Sequence, residues 1–490
     1  MTSIQAYYRQ TANTGPEGRS LLPGIVHVGV GAFHRAHQAW YLERLNRLHQ
    51  QEVKWGISGI GLLAGDSDFL HRLEGQDCLY TLTLVDQAQR DTWAIGAITE
   101  VIAAAEDRAR ALARLASPDT RIISTTITEG GYLYDFETDQ FIAEHPAVVH
   151  DLANPEAPQS LFGYLLLALR LRRDRNAGPV TLLSCDNVPG NGSVFRQALT
   201  AFVRLAGDEA LLHWMQSNVS FPNSMVDRIT PTPTAELAAD VAARTEVDDA
   251  CPVLGESFAQ WVVEDDFIAG RPALEQVGVE FTPHVAHYER LKLRILNGTH
   301  ITVSCIGRML GLTYIHEAME DSLLGPLARQ LMDQDAHAGI GHFSDAEIDT
   351  YKDTIVHRFA NPAIADSIDR VASDGFSKLK NYLMPILRDC LNRGQVSPRL
   401  ALAFACYLRH LEGRNDHGEP VVINEPALSE SERQHFPGRV KAFLRLPQFL
   451  GQDDSAPARA FIAETERLHD SLVARGTAAT LLDISVSSVV

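Results

Sequence analysis

Short β-branched runs and longer stretches of helical spacing alternate through the first part of the chain. The run Gly24-Ile-Val-His-Val stops at Gly29 and passes into FHRAHQAWYLERL (33–45), whose apolar residues recur at helical intervals, so a strand–turn–helix unit is predicted. Further strands are predicted at WGISGIGLL (55–63), RIISTTIT (121–128) and VTLLSC (180–185), with helices at DRARALARLA (107–116) and LFGYLLLALRLRR (161–173). Alternation of this kind predicts a parallel sheet covered by helices.

From residue 285 onwards the pattern changes. ERLKLRILNGTHITVSCIGRMLG, PLARQLMDQDAHA, SKLKNYLMPILRDCLNRG and RLALAFACYLRHLEG all have helical spacing, and strand-like alternation nearly vanishes. The boundary is expected near Pro283. The predicted architecture is an α/β parallel-sheet domain over 1–283 followed by a mostly α-helical domain over 284–490, as a chain too long for one core requires.

Composition narrows the partners. With 43 Lys+Arg against 62 Asp+Glu the formal charge is −19, which opposes binding to nucleic acid or anionic membranes. The opening MTSIQAYYRQ lacks the order of a secretory signal and no apolar stretch is long enough to span a bilayer, so a cytoplasmic protein is expected, as a monomer or small homo-oligomer. The six cysteines are scattered without metal or disulfide spacing, and no metal site is expected.

Gly29-Val30-Gly31-Ala32-Phe33-His34 carries the first two glycines of a dinucleotide fingerprint, with His34 in place of the third small residue. The strand before it and the helix after it are the context that such a turn needs to bind a pyrophosphate. At the end of the second strand Asp66 can accept hydrogen bonds from ribose hydroxyls and repel a 2′-phosphate, which favours NAD. The loop LNRLHQQEVK accounts for its long separation from the glycines.

On a regular helix of about 100° per residue, with Lys292 at zero, Glu289 falls near 60°, His300 near 80° and Asn297 near 140°. These four share one face, and the plain alternative is the solvated side of an amphipathic helix. Yet between Arg294 and Arg308 the sequence has no charge, so Asn297 and His300 lie in a stretch that composition would bury. Asn297-Gly298 also costs helix propensity, which points to close approach by a neighbouring helix or a ligand. A desolvated lysine can act as base, an asparagine amide can donate to a developing oxyanion, and a histidine can hold a hydroxyl in register. Together they suit removal of a proton from an alcohol while hydride leaves the adjacent carbon.

These residues resemble the polyol-specific long-chain dehydrogenases, the mannitol dehydrogenase family. The likeness rests on VGVGAFHRAHQAWYLERL (28–45), TITEGGY (126–132), SCDNVPGNG (184–192), FPNSMVDRITP (221–231), the Lys292/Asn297/His300 set and RVASDGFSK (370–378). It implies a Rossmann-type N-terminal domain, a helical C-terminal domain and metal-independent hydride transfer to NAD. It further implies Lys292 as general base, Asn187 and Asn297 as oxyanion donors, His300 as substrate orienter and Glu289 as proton relay. Asp227, Glu129, Arg370 and Lys378 are implied to bind the polyol or ketose, and Gly29, Gly31, Phe33, Arg35 and Asp66 to hold NAD. Gly65 stands where some members carry a second acidic residue, which weakens the exclusion of NADP.

Read singly, Asp227-Arg228 is equally an internal ion pair, Glu129-Gly-Gly-Tyr a turn, and Arg370 and Lys378 solvated charges. The resemblance implies oxidation of D-arabinitol to D-xylulose or of D-mannitol to D-fructose. A fructuronate reductase is the alternative, disfavoured by Gly130 where a lysine is expected in that branch. A silent NAD-binding sensor has no use for the lysine set.

Overall fold

Six parallel strands form the central sheet of the N-terminal unit in this computed structural model, which describes residues 2–12, 21–48, 54–136 and 138–487. They are β1 (Leu21–Val28), β2 (Lys54–Gly61), β3 (Ile98–Ala103), β4 (Ile122–Thr125), β5 (Val180–Ser184) and β6 (Val219–Ser220). Their spatial order is 3-2-1-4-5-6, with every neighbouring pair parallel. This is the doubly wound order of Rossmann folds, in which ligands bind where the order reverses, here between β1 and β4.

The strands read as apolar runs because both faces are covered. Along β1, Val26 and Val28 pack into one core with helices Arg108–Leu115, Leu161–Asp174 and Asn191–Leu205, whereas Ile25 packs into the opposite core with helix Gln38–Leu48. His27 is fully buried in the same strand.

The helix expected over 33–45 is two helices, Ala32–Ala36 and Gln38–Leu48, broken at His37 (φ −118°, ψ −87°). Among the small sheets that the sequence pattern also missed, two have three strands. In one, Tyr80–Asp86 pairs antiparallel with Gln89–Ile95 and parallel with Val253–Glu256. In the other, Gln260–Val263 lies between Ser224–Asp227 and Glu280–Phe281. The loop invoked to lengthen the interval from Gly29 to Asp66 lies partly outside the described residues, at 49–53.

The chain divides into compact units at Met1–Ala286 and His287–Val490. The second is helical around one core, with Gly298–Met309, Pro398–His410 and Ala456–Arg475 packed together. Among the described residues three π turns interrupt its helices, at Leu293–Asn297, Leu331–Ala336 and Leu379–Leu383, and the first touches the other two. Buried Arg294 ties them: it donates to the Ala338 carbonyl at 2.8 Å, past the second turn, and to the Asp389 carboxylate, past the third. No helix among the described residues is long and apolar enough to cross a membrane.

Candidate functional site

In the N-terminal unit a cavity of about 660 Å³ opens at the C-terminal ends of β1, β2 and β4, lined there by Val28, Gly29, Gly31, Gly61 and Thr126 to Thr128. Two glycines shape it. Gly29 has φ +96°, and a Cβ on it would lie 2.1 Å from the Thr126 carbonyl oxygen, so no other residue fits. A Cβ at Gly31 would meet nothing within 4 Å, so its absence leaves the cavity open beside the first turn of helix Ala32–Ala36, which no side chain caps. That is the space and polarity a pyrophosphate needs.

Asp66 lines the same cavity past β2. Its Oδ2 accepts from the Leu63 N–H at 3.0 Å, and Oδ1 has no partner among the described residues, as a ribose-binding carboxylate requires.

Neither Phe33 nor Arg35 lines the cavity among the described residues. Phe33 stacks on His37, with centroids 5.0 Å apart. Arg35 is buried, donating to the Cys251 carbonyl at 2.6 Å with its guanidinium 4.7 Å from the centre of the Phe69 ring. Phe69 does line the cavity, so Arg35 supports that wall from behind. His34, where the fingerprint has its third glycine, stacks on His27 of β1.

The turn after β4 is held by a residue that the sequence reading passed over. Asp186 Oδ1 accepts from the backbone N–H groups of Ile127 (2.9 Å) and Thr128 (2.7 Å), and its Oδ2 from the Tyr132 hydroxyl (2.6 Å). Burial pushes this carboxyl above its ordinary value, against the pull of those three donors. Its neighbour Asn187 is exposed, as is Glu129 in the short helix Thr128–Gly131. Asp227 is buried at the end of strand Ser224–Asp227, and Arg228 donates to the carbonyls of Ala36, Ser257 and Phe258.

In the C-terminal unit Lys292, 6% exposed, ends helix Val285–Lys292, which also carries half-buried Glu289. The next turn is π, with the Gly298 N–H bonded to the Leu293 carbonyl five residues back. The regular spacing of about 100° assumed for this face therefore fails between Lys292 and Gly298, because a π turn holds more residues than an α turn. Gly298 bears on the question of close approach: a Cβ there would meet Ile386 Cδ1 at 2.7 Å, so helix Met384–Asn392 packs closely here and the tip of Ile386 would have to move. Asn297 ends the π turn with its Oδ1 buried and without a hydrogen-bond partner.

His300 is buried against Phe359, with ring centroids 4.5 Å apart. Its Nε2 lies 3.2 Å from Asp366 Oδ2, but off the line that a hydrogen bond needs, so both atoms lack one. Burial lowers the pKa of His300 and Asp366 opposes the shift. Burial alone would raise the Asp366 carboxyl, yet His300 and Arg370 hold it below its ordinary value. Arg370 donates to Asp366 Oδ1 through Nε at 2.9 Å and through Nη2 at 2.5 Å. Lys378 Nζ donates to the Val371 and Ser373 carbonyls at 2.7 and 2.6 Å, leaving one N–H to spare, and burial followed by the Arg370 charge lowers its pKa. The fold thus gathers His300, Arg370 and Lys378 around Asp366. That residue belongs to no quoted motif, although its i,i+4 spacing to Arg370 was a visible sign.

The description of the mannitol dehydrogenase Rossmann domain matches residues 23–276, and that of the mannitol dehydrogenase C-terminal domain matches residues 284–463. The chain belongs to the mannitol dehydrogenase family. Within this family it is 44% identical over 434 residues to a D-arabinitol 4-dehydrogenase of Ralstonia nicotianae, covering 88% of this chain and 92% of that protein. It is 36% identical over 464 residues to a mannitol 2-dehydrogenase of Pyrenophora tritici-repentis, covering 94% of this chain and 81% of that protein. Among solved structures, the Pseudomonas fluorescens mannitol 2-dehydrogenase in ternary complex with NAD and D-mannitol has a TM-score of 0.86 and 37% identity, covering 97% of this chain and 98% of that one.

Proposed function

We propose that this member of the mannitol dehydrogenase family is an NAD-dependent polyol dehydrogenase, oxidising a linear polyol to its ketose without a metal, D-arabinitol to D-xylulose or D-mannitol to D-fructose. The observation that carries the reading is likeness along 97% of the chain to an enzyme solved with NAD and D-mannitol. The bare floor at Gly31 and the open oxygen of Asp66 fit such a dinucleotide.

Bound in that cavity, NAD would supply the hydride acceptor. The chain's own residues manage the proton and the oxygen. Lys292 takes the proton of the reacting hydroxyl, and Glu289 passes it on to water. The Asn297 side-chain amide, with that of Asn187, donates to the oxygen as it gains negative charge. His300 orients the hydroxyl, while the Asp366 carboxylate and neighbouring Arg370 fix the polar surroundings of its ring. Lys378 offers its remaining N–H, with Arg370, Asp227 and Glu129, to the other hydroxyls of the polyol.

The test is NADH formation at alkaline pH with D-arabinitol, D-mannitol, D-sorbitol and D-mannonate in turn. Turnover of a polyol that survives EDTA and falls by about 10²–10⁴ in Lys292→Ala is expected. Silence with every substrate would overturn the reading. Turnover of D-mannonate alone would move the protein to the fructuronate reductase branch.

A further inference from the structure

Thr128 is a β-branched residue at φ +62°, in the left-handed region that such side chains avoid. A conformation of this kind persists only where its surroundings enforce it. It stands in the wall of the 660 Å³ cavity, beside Thr126 and Ile127, and the Thr126 carbonyl is the group pressed against Gly29. Whatever holds this turn therefore also sets the wall that faces the glycine loop.

We propose that Asp186 is a positioning residue for the dinucleotide: by accepting from the Ile127 and Thr128 amides and the Tyr132 hydroxyl, its carboxylate holds the Thr126–Thr128 turn in its strained form. Charge-assisted bonds to two consecutive amides are the means of enforcement, since a neutral turn would relax Thr128 to negative φ and carry Thr126 away from Gly29. Tyr132 closes the short helix Thr128–Gly131, so one carboxylate fixes both of its ends. Asp186 is 5% exposed and is absent from the cavity wall among the described residues, so it acts through the turn rather than by touching the ligand. This inference rests on reading the cavity as the NAD site.

The experiment titrates NADH by calorimetry into the wild-type chain and the variants Asp186→Asn and Asp186→Asn/Thr128→Gly, with melting temperatures alongside. Asp186→Asn is expected to weaken NADH binding roughly tenfold, in line with the strain it leaves unsupported. The double variant should recover most of that loss, because glycine adopts positive φ without strain. Recovery of this kind would not follow a general weakening of the fold. Wild-type affinity in a folded Asp186→Asn, or a double variant no better than the single, overturns the inference while leaving the NAD reading intact. Absence of NADH binding by the wild type overturns both. Should Asp186→Asn not fold, hydrogen exchange on the nucleotide-free wild type decides: the Ile127 and Thr128 amides should be protected, and exchange at the unfolded rate would refute the clamp.

Discussion

The His34 ring lies flat on His27, with centroids 3.4 Å apart and 11° between the planes. A helix normally packs here on its strand through a bare glycine. This chain instead places two buried imidazoles at the joint. Nδ1 of His27 meets the Ser124 hydroxyl at 2.8 Å, and its Nε2 meets the Gly29 carbonyl at 3.1 Å. Neither nitrogen of His34 has a hydrogen-bond partner in good geometry.

Burial lowers the pKa of His27 to about 3 and pushes that of His34 well below its ordinary value. Below pH ~6.5 the unfolded chain takes up protons that the folded chain refuses, so stability is full above that pH and falls by about 1.4 kcal/mol per unit and per histidine on acidification. His34→Phe keeps a stacked ring and removes one of these protons. Its stability, followed by urea unfolding from pH 7.5 to 4.5, should therefore decline less steeply than that of the wild type. Parallel declines would show that His34 is not buried as a neutral ring.

Asn297 should separate rate from stability. Its Oδ1 has no partner to lose, so Asn297→Ala should shift the melting temperature little. Loss of an oxyanion donor should lower turnover by about 10²–10³. Steady-state kinetics and calorimetry on one preparation test this, and a variant that melts early at unchanged turnover would contradict it.

Arg294 should do the reverse. Arg294→Met removes the side chain that joins the π turn to the Ala338 carbonyl and Asp389. Arg294 is buried but Asp389 is about a third exposed, so losing these charge-assisted bonds should cost about 1.5–3 kcal/mol. Denaturant unfolding should show that loss, and one below about 1 kcal/mol would mean that the three turns hold together by apolar packing alone.

The sheet was legible in the sequence where strands were apolar on both faces and ended at glycines, as at Gly29 and Gly61. The antiparallel pair Tyr80–Asp86 and Gln89–Ile95 was not: Tyr80 to Leu84 does alternate apolar and polar residues, but its partner opens on Gln89, Arg90 and Asp91, which break the pattern. Among the site residues, Gly31 and Asp66 stand out from their position after a strand. Asp186 and Asp366 do not, since what distinguishes them is three donors converging on one carboxylate and a histidine brought 66 positions closer by folding. Arg35 shows the converse. The resemblance implies that it helps to hold NAD, yet the side chain points into the protein and finds a carbonyl and two aromatic rings. The π turn escaped detection for a geometric reason: periodicity assumes a constant angle per residue, and Leu293–Asn297 breaks that assumption.

That turn changes what the length of the segment means. A helix that bonds each N–H four residues back would need one residue fewer to cover the same rise. Deleting a single codon between Leu293 and Asn297 would leave a smooth, well-bonded helix with the lysine, the histidine and nearly every neighbour intact. Because the π turn absorbs one extra residue, that deletion would leave Lys292 and His300 facing nearly as they do now, whereas the same deletion in a regular helix would turn them apart by about 100°. In this stretch one residue is carried as slack, and a frame-preserving deletion would remove the bulge while sparing the register of the two side chains.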